Sequence, residues 1–538
     1  MALSAAFALT SCVEETLPED SHATAAQVGA SSAALEASLN GIPAQMSEGY
    51  YVYGDQVHET DMAYPLFMIA QTELLGDMYP LGSNSGYDWY RNYNTADRNF
   101  GETSYFSYLP WFTLYRFVKA ANDVISTVDV DDENVNAQLK GMAGAAYAMR
   151  AFNYYMLMVF FEPVENKYTD ISNVKGLTVP IVTPDTKGED SKNNPRVTHD
   201  ELMKFILNDL DIAERTLSNW VPNSKNVPDL AVVYGIRAKV HMWDEDYANA
   251  ATYARKAIDL ATANGAQPMT ADEWENPNSG FTTATSGWMW YISYAPESMQ
   301  NLANFIGWIS GEADWGYSSL TCPSIDASLY NKINKTDFRK HVFLDPAKYE
   351  YYDYKTCRDR SFIENAPGYL SLKFRCKGGD WENYAIGGAV DCSIMRIEEL
   401  MLLEAEAIGA SQGVAQGVAK LNEFMKTYRD PEYNYSGSSL RDFQLEVLTQ
   451  ERIEFWGEGN AFPNAKRIKP GVMQNYEGTN APADIFKINC EGIKPWWNLV
   501  IPTRETDNNN ALKGKNNPDP TITNTSIKTP SPVGQYSN

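Results

Sequence analysis

Hydrophobic positions recur every three to four residues along most of this chain, and that spacing predicts helices. Tyr64 to Gly76 is almost wholly apolar and reads as one. Trp111, Leu114, Tyr115, Val118, Ala121, Asn122 and Ile125 form a single stripe. Asn136 to Phe161 is a longer helix, with Ala143, Ala146, Arg150, Tyr154, Leu157 and Phe161 along one side. Glu162-Pro163 ends it, because the residue before a proline resists the helical region. Thr198 to Trp220 begins with Thr198 and Glu201 at capping-box spacing. Leu230 to Trp243 and Asp246 to Ile258 make a helical pair. Ile394 to Ile408, Val414 to Tyr428 and Leu440 to Trp456 follow, and the Ala/Ser-rich stretch Ser21 to Leu39 reads as an early helix.

The pattern breaks in three places. Asp77 to Gly101 is rich in Gly, Asn, Asp and aromatics and reads as a long loop, a class that is usually functional in a compact domain. Thr270 to Asp391 is irregular apart from Gly287 to Tyr294, whose alternation predicts a strand. Leu177 to Val182 is extended, and Ile468 to Asn538 is loop-rich. Ala250, Ala254 and Ala257 let neighbouring helices approach closely, as in the second helix of a tetratricopeptide repeat. Such pairs stack because none can bury its apolar side alone. The expected fold is mostly α: a tetratricopeptide-like helical repeat scaffold, at 102–265 and 392–457, packed with an irregular loop-rich region containing short β-strands. The ligand region is expected at 77–101 and 270–391.

The beginning of the chain has a different character. A short apolar run, Ala2 to Leu9, leads through Thr10-Ser11 to Cys12, and Glu14, Glu15, Glu19 and Asp20 follow among small polar residues. A hydrophobic leader, a cysteine and an acidic tether predict a lipoprotein signal over 1–11, with lipid carried by Cys12. No Lys or Arg precedes the run. Residues 12–40 then hold anchor, tether and first helix, and 41–538 form a single domain.

Composition narrows the function. The net charge of −25 repels phosphate backbones and excludes nucleic acid as a partner. No stretch of about 18 uncharged apolar residues occurs beyond the leader, since Arg150 interrupts Ala143 to Phe161. Beyond Cys12 there are five cysteines, an odd number, at 322, 357, 376, 392 and 490. A Cys357–Cys376 bond is one option that spacing cannot decide. No CxxC or Cys/His cluster offers a zinc site, and neither metal nor cofactor is expected.

Catalytic signatures are weak. Gly409-Ala410-Ser411-Gln412-Gly413 matches a nucleophile elbow, but that motif needs a preceding strand, and a helix precedes it here. It reads as a helix-to-helix turn. Asp129 to Glu133 lacks the glycine and the bidentate glutamate of a calcium loop and reads as solvated. The five histidines are scattered. A chance pair among 69 acids keeps a surface glycoside hydrolase as an alternative.

The stretch Glu451-Arg452-Ile453-Glu454-Phe455-Trp456-Gly457-Glu458-Gly459-Asn460-Ala461-Phe462 is specific. It resembles the C-terminal signature of the SusD/RagB family of outer-membrane nutrient-binding lipoproteins. Trp111-x-x-Leu114-Tyr115 with Ala121-Asn122, Arg150-Ala151-Phe152 with Tyr154-Tyr155, Asp209-Leu210-Asp211-x-Ala213, the helix from Arg396 to Ala405, and Ile501-Pro502 resemble further family segments in the right order. Ala461, Asn464 and Glu162-Pro163 depart from the family pattern. The signature itself reads as scaffold, with its charges pairing along the helix or with neighbours.

The resemblance implies a non-catalytic binding protein that captures oligosaccharides at the extracellular face of the outer membrane. It would deliver them, as a lid, to a SusC-like TonB-dependent transporter. A helical-repeat module that binds peptides, or no ligand of its own, is a further alternative. Sugars stack C–H faces on aromatic rings and need donors and acceptors for their hydroxyls. Loops with both are the expected site: Asp88, Trp89, Tyr90, Arg91, Asn92 and Tyr93 in the first, Trp308, Trp315 and Tyr317 in the second, and Trp381 in a third. Trp111, Trp288 and Trp290 are expected in the core.

Overall fold

The helical periodicity becomes a spiral of neighbouring helices. The computed structural model describes residues 28–29, 31–47, 63–81, 100–298, 302, 304–347 and 353–523. Cys12 with its tether, and the run Asp88 to Tyr93, lie outside these residues. The early helix is α1 (Ser32–Ser47), later than the Ser21 to Leu39 expectation, of which 21–27 lie outside the described residues. α2 (Tyr64–Leu75) leads into β1 (Met78–Pro80). The repeat helices are α3 (Tyr105–Ile125), α4 (Ala137–Phe161), α5 (His199–Leu217), α6 (Leu230–Trp243) and α7 (Tyr247–Ala263).

Caps set most of the helix starts. Asn136, Thr198, Asp229 and Asp246 each accept an amide of the first turn, and Thr198 with Glu201 completes the predicted capping box. α3 packs on α4, α4 on α5, and α6 on α7. Close approach fixes the α4–α5 crossing: a Cβ added at Gly144 would stand 1.9 Å from Thr216 Oγ1. Buried there, Arg150 donates to Asp209 at 2.7 and 2.8 Å and to Asn122 at 2.7 Å. Three of the family-like segments therefore meet at one buried cation.

The spiral then skips 133 residues of chain. α7 packs directly on α8 (Ile397–Ser411), which packs on α9 (Val414–Tyr428) and α10 (Leu440–Glu454). The irregular region lies between them. β2 (Trp288–Ser293) near its start pairs antiparallel with β4 (Asp391–Arg396) at its end, with a bulge around Trp290. The helix expected from Ile394 therefore starts three residues later, because 391–396 are recruited as a strand. Within the region, β3 (Pro323–Ile325) pairs with β1, so the chain following α2 is stitched into it. Trp288 and Trp290 are core residues, as expected. Gly413 opens α9 after α8, so the elbow-like pentapeptide is a helix-to-helix turn.

The signature residues bind the two halves together rather than each other. Glu454 receives Arg429 (2.8 Å), Arg339 (3.1 Å) and Arg396 (3.1 Å), all fully buried. Glu458 receives Lys373 (2.7 Å) and Arg396 (2.8 Å). Glu398 takes Arg396 and Arg429, and Asp337 takes Arg339. Four cations thus face four carboxylates. Burial opposes ionisation of Glu454, but Arg429, Arg396 and Arg339 outweigh it and hold its carboxyl well below the usual range. Burial lowers Lys373 to about 8. Arg452 reaches Asp77, just after α2, and Asn464 donates to both Glu451 oxygens at 2.9 and 3.0 Å. Gly457 and Gly459, at φ 80° and 86°, make the turn that lets Glu458 face back inward.

Candidate ligand-binding site

The second aromatic loop folds inward. Trp308 is 2% exposed, Trp315 6% and Tyr317 5%. Trp308 and Tyr317 pack ring to ring at 4.4 Å. Trp315 is wedged against Gly307 and Gly387, where an added Cβ would stand 3.0 and 2.7 Å from its ring. Its indole N–H donates to Asn304 Oδ1 at 3.3 Å. The expectation of solvent-facing platforms is thus corrected for these three rings. The glycines that marked a loop are the residues that let indole rings pack against bare backbone. The three rings are buried instead of facing solvent.

Their support is specific. Asn304, itself buried, accepts from the Trp315 indole and the Gly307 amide, and its amide donates to the Tyr384 carbonyl at 3.3 Å. The Asp314 amide donates to the Trp381 carbonyl at 3.0 Å. The buried loop therefore positions the segment 380–388 from both ends.

That segment is where aromatic surface reaches solvent. Trp381 is half-buried, with the Arg358 guanidinium 4.1 Å from its ring centroid. Arg358 also donates to the Glu312 carbonyl at 3.3 Å. The fully buried Glu312 carboxylate orders the strap carrying Arg358: it accepts from Thr356 Oγ1 and from the Cys357 amide at 3.0 Å, and pairs with Arg375 at 2.8 Å. Next along the chain, Asn383 caps the short helix Tyr384–Gly387 through the Ala385 amide. Tyr384 (36%) and Ile386 (51%) are among the most exposed large apolar residues described, as is Leu302. Asp380, Glu382 and Asn383 supply polar groups between them. The segment thus leaves accessible a phenol at Tyr384 and part of the Trp381 indole under the Arg358 guanidinium, with the polar side chains of Asp380, Glu382 and Asn383 beside them in sequence.

Of the expected site residues, then, Trp381 is partly accessible and lies in a polar-aromatic face. Trp308, Trp315 and Tyr317 are buried, and Trp315 packs against Gly387 of the 380–388 segment. Asp88, Trp89, Tyr90, Arg91, Asn92 and Tyr93 fall outside the described residues. Tyr384 ends the third expected stretch, Gly378 to Tyr384, without having been named as a contact, and Arg358 was missed. Tyr384 could have been taken with Trp381; Arg358 arrives from 23 residues upstream and left no local signal. Among the described residues, no group of three or more His, Cys, Asp or Glu is arranged to hold a metal ion. Cys322, Cys357, Cys376, Cys392 and Cys490 are free thiols.

The architecture defines a class: tetratricopeptide-like helical pairs carrying an irregular, loop-rich unit. Residues 60–242 match a family described as starch-binding and associating with the outer membrane. Solved structures share the fold over nearly the whole chain. A SusD-like carbohydrate-binding protein from Bacteroides vulgatus superposes with a TM-score of 0.69 at 20% identity, covering 90% of this chain and 98% of its own. A SusD-superfamily protein from Bacteroides thetaiotaomicron gives 0.65 at 18% identity, covering 91% and 100%. A laminarin-binding SusD-like protein gives 0.59 at 16% identity, covering 90% and 98%. No curated protein matches the sequence. The chain thus has the fold of the SusD-like structures, and its residues 60–242 are similar to the SusD-like family.

Proposed function

We propose that this protein is a non-catalytic surface binder of oligosaccharides. It would be tethered by lipid on Cys12 at the extracellular face of the outer membrane, where it delivers its ligand as the lid of a TonB-dependent transporter. In this reading residues 41–538 act as one domain, with the helical spiral as scaffold and the irregular region as the ligand-facing side. The observation that carries the glycan reading is the polar-aromatic face of Trp381, Arg358 and Tyr384, set on a SusD-like fold. Trp89 and its neighbours are further ligand contacts in this reading. The descriptions of the matched family and of the laminarin-binding neighbour support the ligand class. Buried acids support binding over hydrolysis: Glu312 of the irregular region, and Glu454 and Glu458 at and just after the end of α10, are each paired with a cation.

A glycan array on the soluble domain, followed by calorimetry, tests this. Binding in the micromolar-to-millimolar range without release of reducing ends is expected. Trp381→Ala, Tyr384→Ala and Trp89→Ala should each weaken it about tenfold, roughly 1.4 kcal/mol, with unfolding curves little changed. Unaltered affinity in all three would remove the site from this face. Turnover of any polysaccharide would favour the hydrolase, and copurification with a barrel without glycan binding would favour the interaction module.

A further inference from the structure

A second cavity, of about 500 Å³, opens on the first repeat helix. α3 forms one wall, and segments 180–194 and 505–509 form the others. None of its lining belongs to the irregular region, so it is separate from the Trp381 face.

Its walls are rigid and aromatic. Trp111 and Tyr115, one turn apart on α3, tilt against each other at 4.8 Å, and Trp111 stands edge-on to Phe161 at 4.9 Å. Tyr115 donates its hydroxyl to the Pro180 carbonyl at 2.6 Å, which fixes its ring. Phe112 completes the wall and stacks on Tyr108 at 5.6 Å. A carboxylate lies among these rings. Glu505 is held by the Trp111 and Asn509 side chains, and burial raises its pKa. Asn509 is only 2% exposed and is itself fixed by donating to the Asn194 carbonyl at 2.6 Å. Arg116 and Lys119 are the cations of the lining, and Lys119 pairs with Asp123 at 2.7 Å.

This combination selects its ligand. A purely apolar guest would strip water from Glu505 and Arg116 without replacing it. A phosphate or sulfate group would meet Arg116 and Lys119, but Lys119 is already paired with Asp123 and the anion would lie beside Glu505 on a chain of net charge −25. A neutral pyranose satisfies both requirements, with a C–H face for the rings and hydroxyls for acceptor and donor. The volume lies in the usual range of small-ligand sites.

We infer that this cavity is a second saccharide subsite, taking one or two neutral pyranose rings between α3 and the 505–509 segment. It shares the sugar chemistry of the proposed function but not its location, so the two can fail separately. Crystals soaked in maltohexaose, laminarihexaose, xylohexaose or mannohexaose, together with calorimetry on the same sugars, test it. Expected are a ring against Phe112 and Tyr115, and a second binding step that Phe112→Ala and Glu505→Gln each weaken at least fivefold. Trp381→Ala should leave that step unchanged. Sugar bound only at the Trp381 face overturns the inference and spares the first site. Sugar only in the cavity supports it and overturns the first, and sugar at neither overturns both.

Discussion

Glu454→Gln replaces one of eight interlocked charges with a group of equal shape. The four cations Arg339, Arg396, Arg429 and Lys373 then face only Asp337, Glu398 and Glu458, leaving one buried positive charge unbalanced. Breaking a buried ion pair from one side costs about 3–5 kcal/mol. The network also contains a relief valve. Burial already lowers Lys373 to about 8 in the intact protein, so losing the neighbouring acid lowers it further and Lys373 sheds its proton near neutral pH. The unfolded lysine keeps its proton to about pH 10.4, so the variant gains about 1.4 kcal/mol per pH unit above its new folded pKa. The intact protein gains nothing from this residue until about pH 8. The difference between the two should therefore shrink by roughly 1–2 kcal/mol from pH 6 to pH 8. Denaturant titration is the suitable assay, because 1 kcal/mol moves the melting temperature of a chain this long by only about 1 °C. A penalty below about 1 kcal/mol, or one independent of pH, would refute charge balance as the reason these residues are buried together.

Three further outcomes are expected. Burial and the charge of Glu406 push Glu451 up to about 8, so the folded state binds an extra proton between about pH 4.5 and 8 and stability falls as pH rises through that window. Glu451→Gln should flatten that slope in denaturant titrations at several pH values; an unchanged slope would assign it to other groups. Gly144→Ala drives a methyl into Thr216 and should cost about 1–3 kcal/mol, whereas Gly176→Ala, which meets no atom, should show only the smaller cost of its positive φ. Iodoacetamide on the native protein should modify the half-buried Cys357 before the buried Cys376, whose thiol is pushed up by its hydrogen bond with Cys357 and by burial, and before Cys392 and Cys490, whose thiols burial pushes up. Peptide mass mapping reads the order, and early labelling of Cys392 would contradict it.

The helices were legible because each must hide one side, and that need is written at fixed spacing. Asn136, Thr198 and Asp246 mark their starts in the sequence and are the caps in the structure. The aromatic loops were less legible. A run such as Gly307-Trp308 or Trp315-Gly316-Tyr317 has the same composition whether its rings face solvent or bury themselves against glycine backbone. Only the partners decide, and for Trp315 these are Asn304 and Gly387, up to 72 residues away in sequence. The charges left two readings open, pairing along the helix or with neighbours, and the second holds. Spacing along α10 invites pairing within the helix, yet Glu454 binds three arginines from three other segments. Long-range pairing leaves no periodicity to read.

The β2–β4 pairing has a consequence for how such a protein changes over time. α7 and α8 touch whether or not the chain between them is long, so the two ends of that intervening stretch are held side by side. Lengthening a segment whose ends are already joined costs little, since closure entropy grows only with the logarithm of length. Lineages could therefore exchange whole stretches between Ser293 and Asp391 without reopening the spiral, provided Arg339 and Lys373 keep their acidic partners. The fold would then behave as a socket, with recognition as the interchangeable fitting.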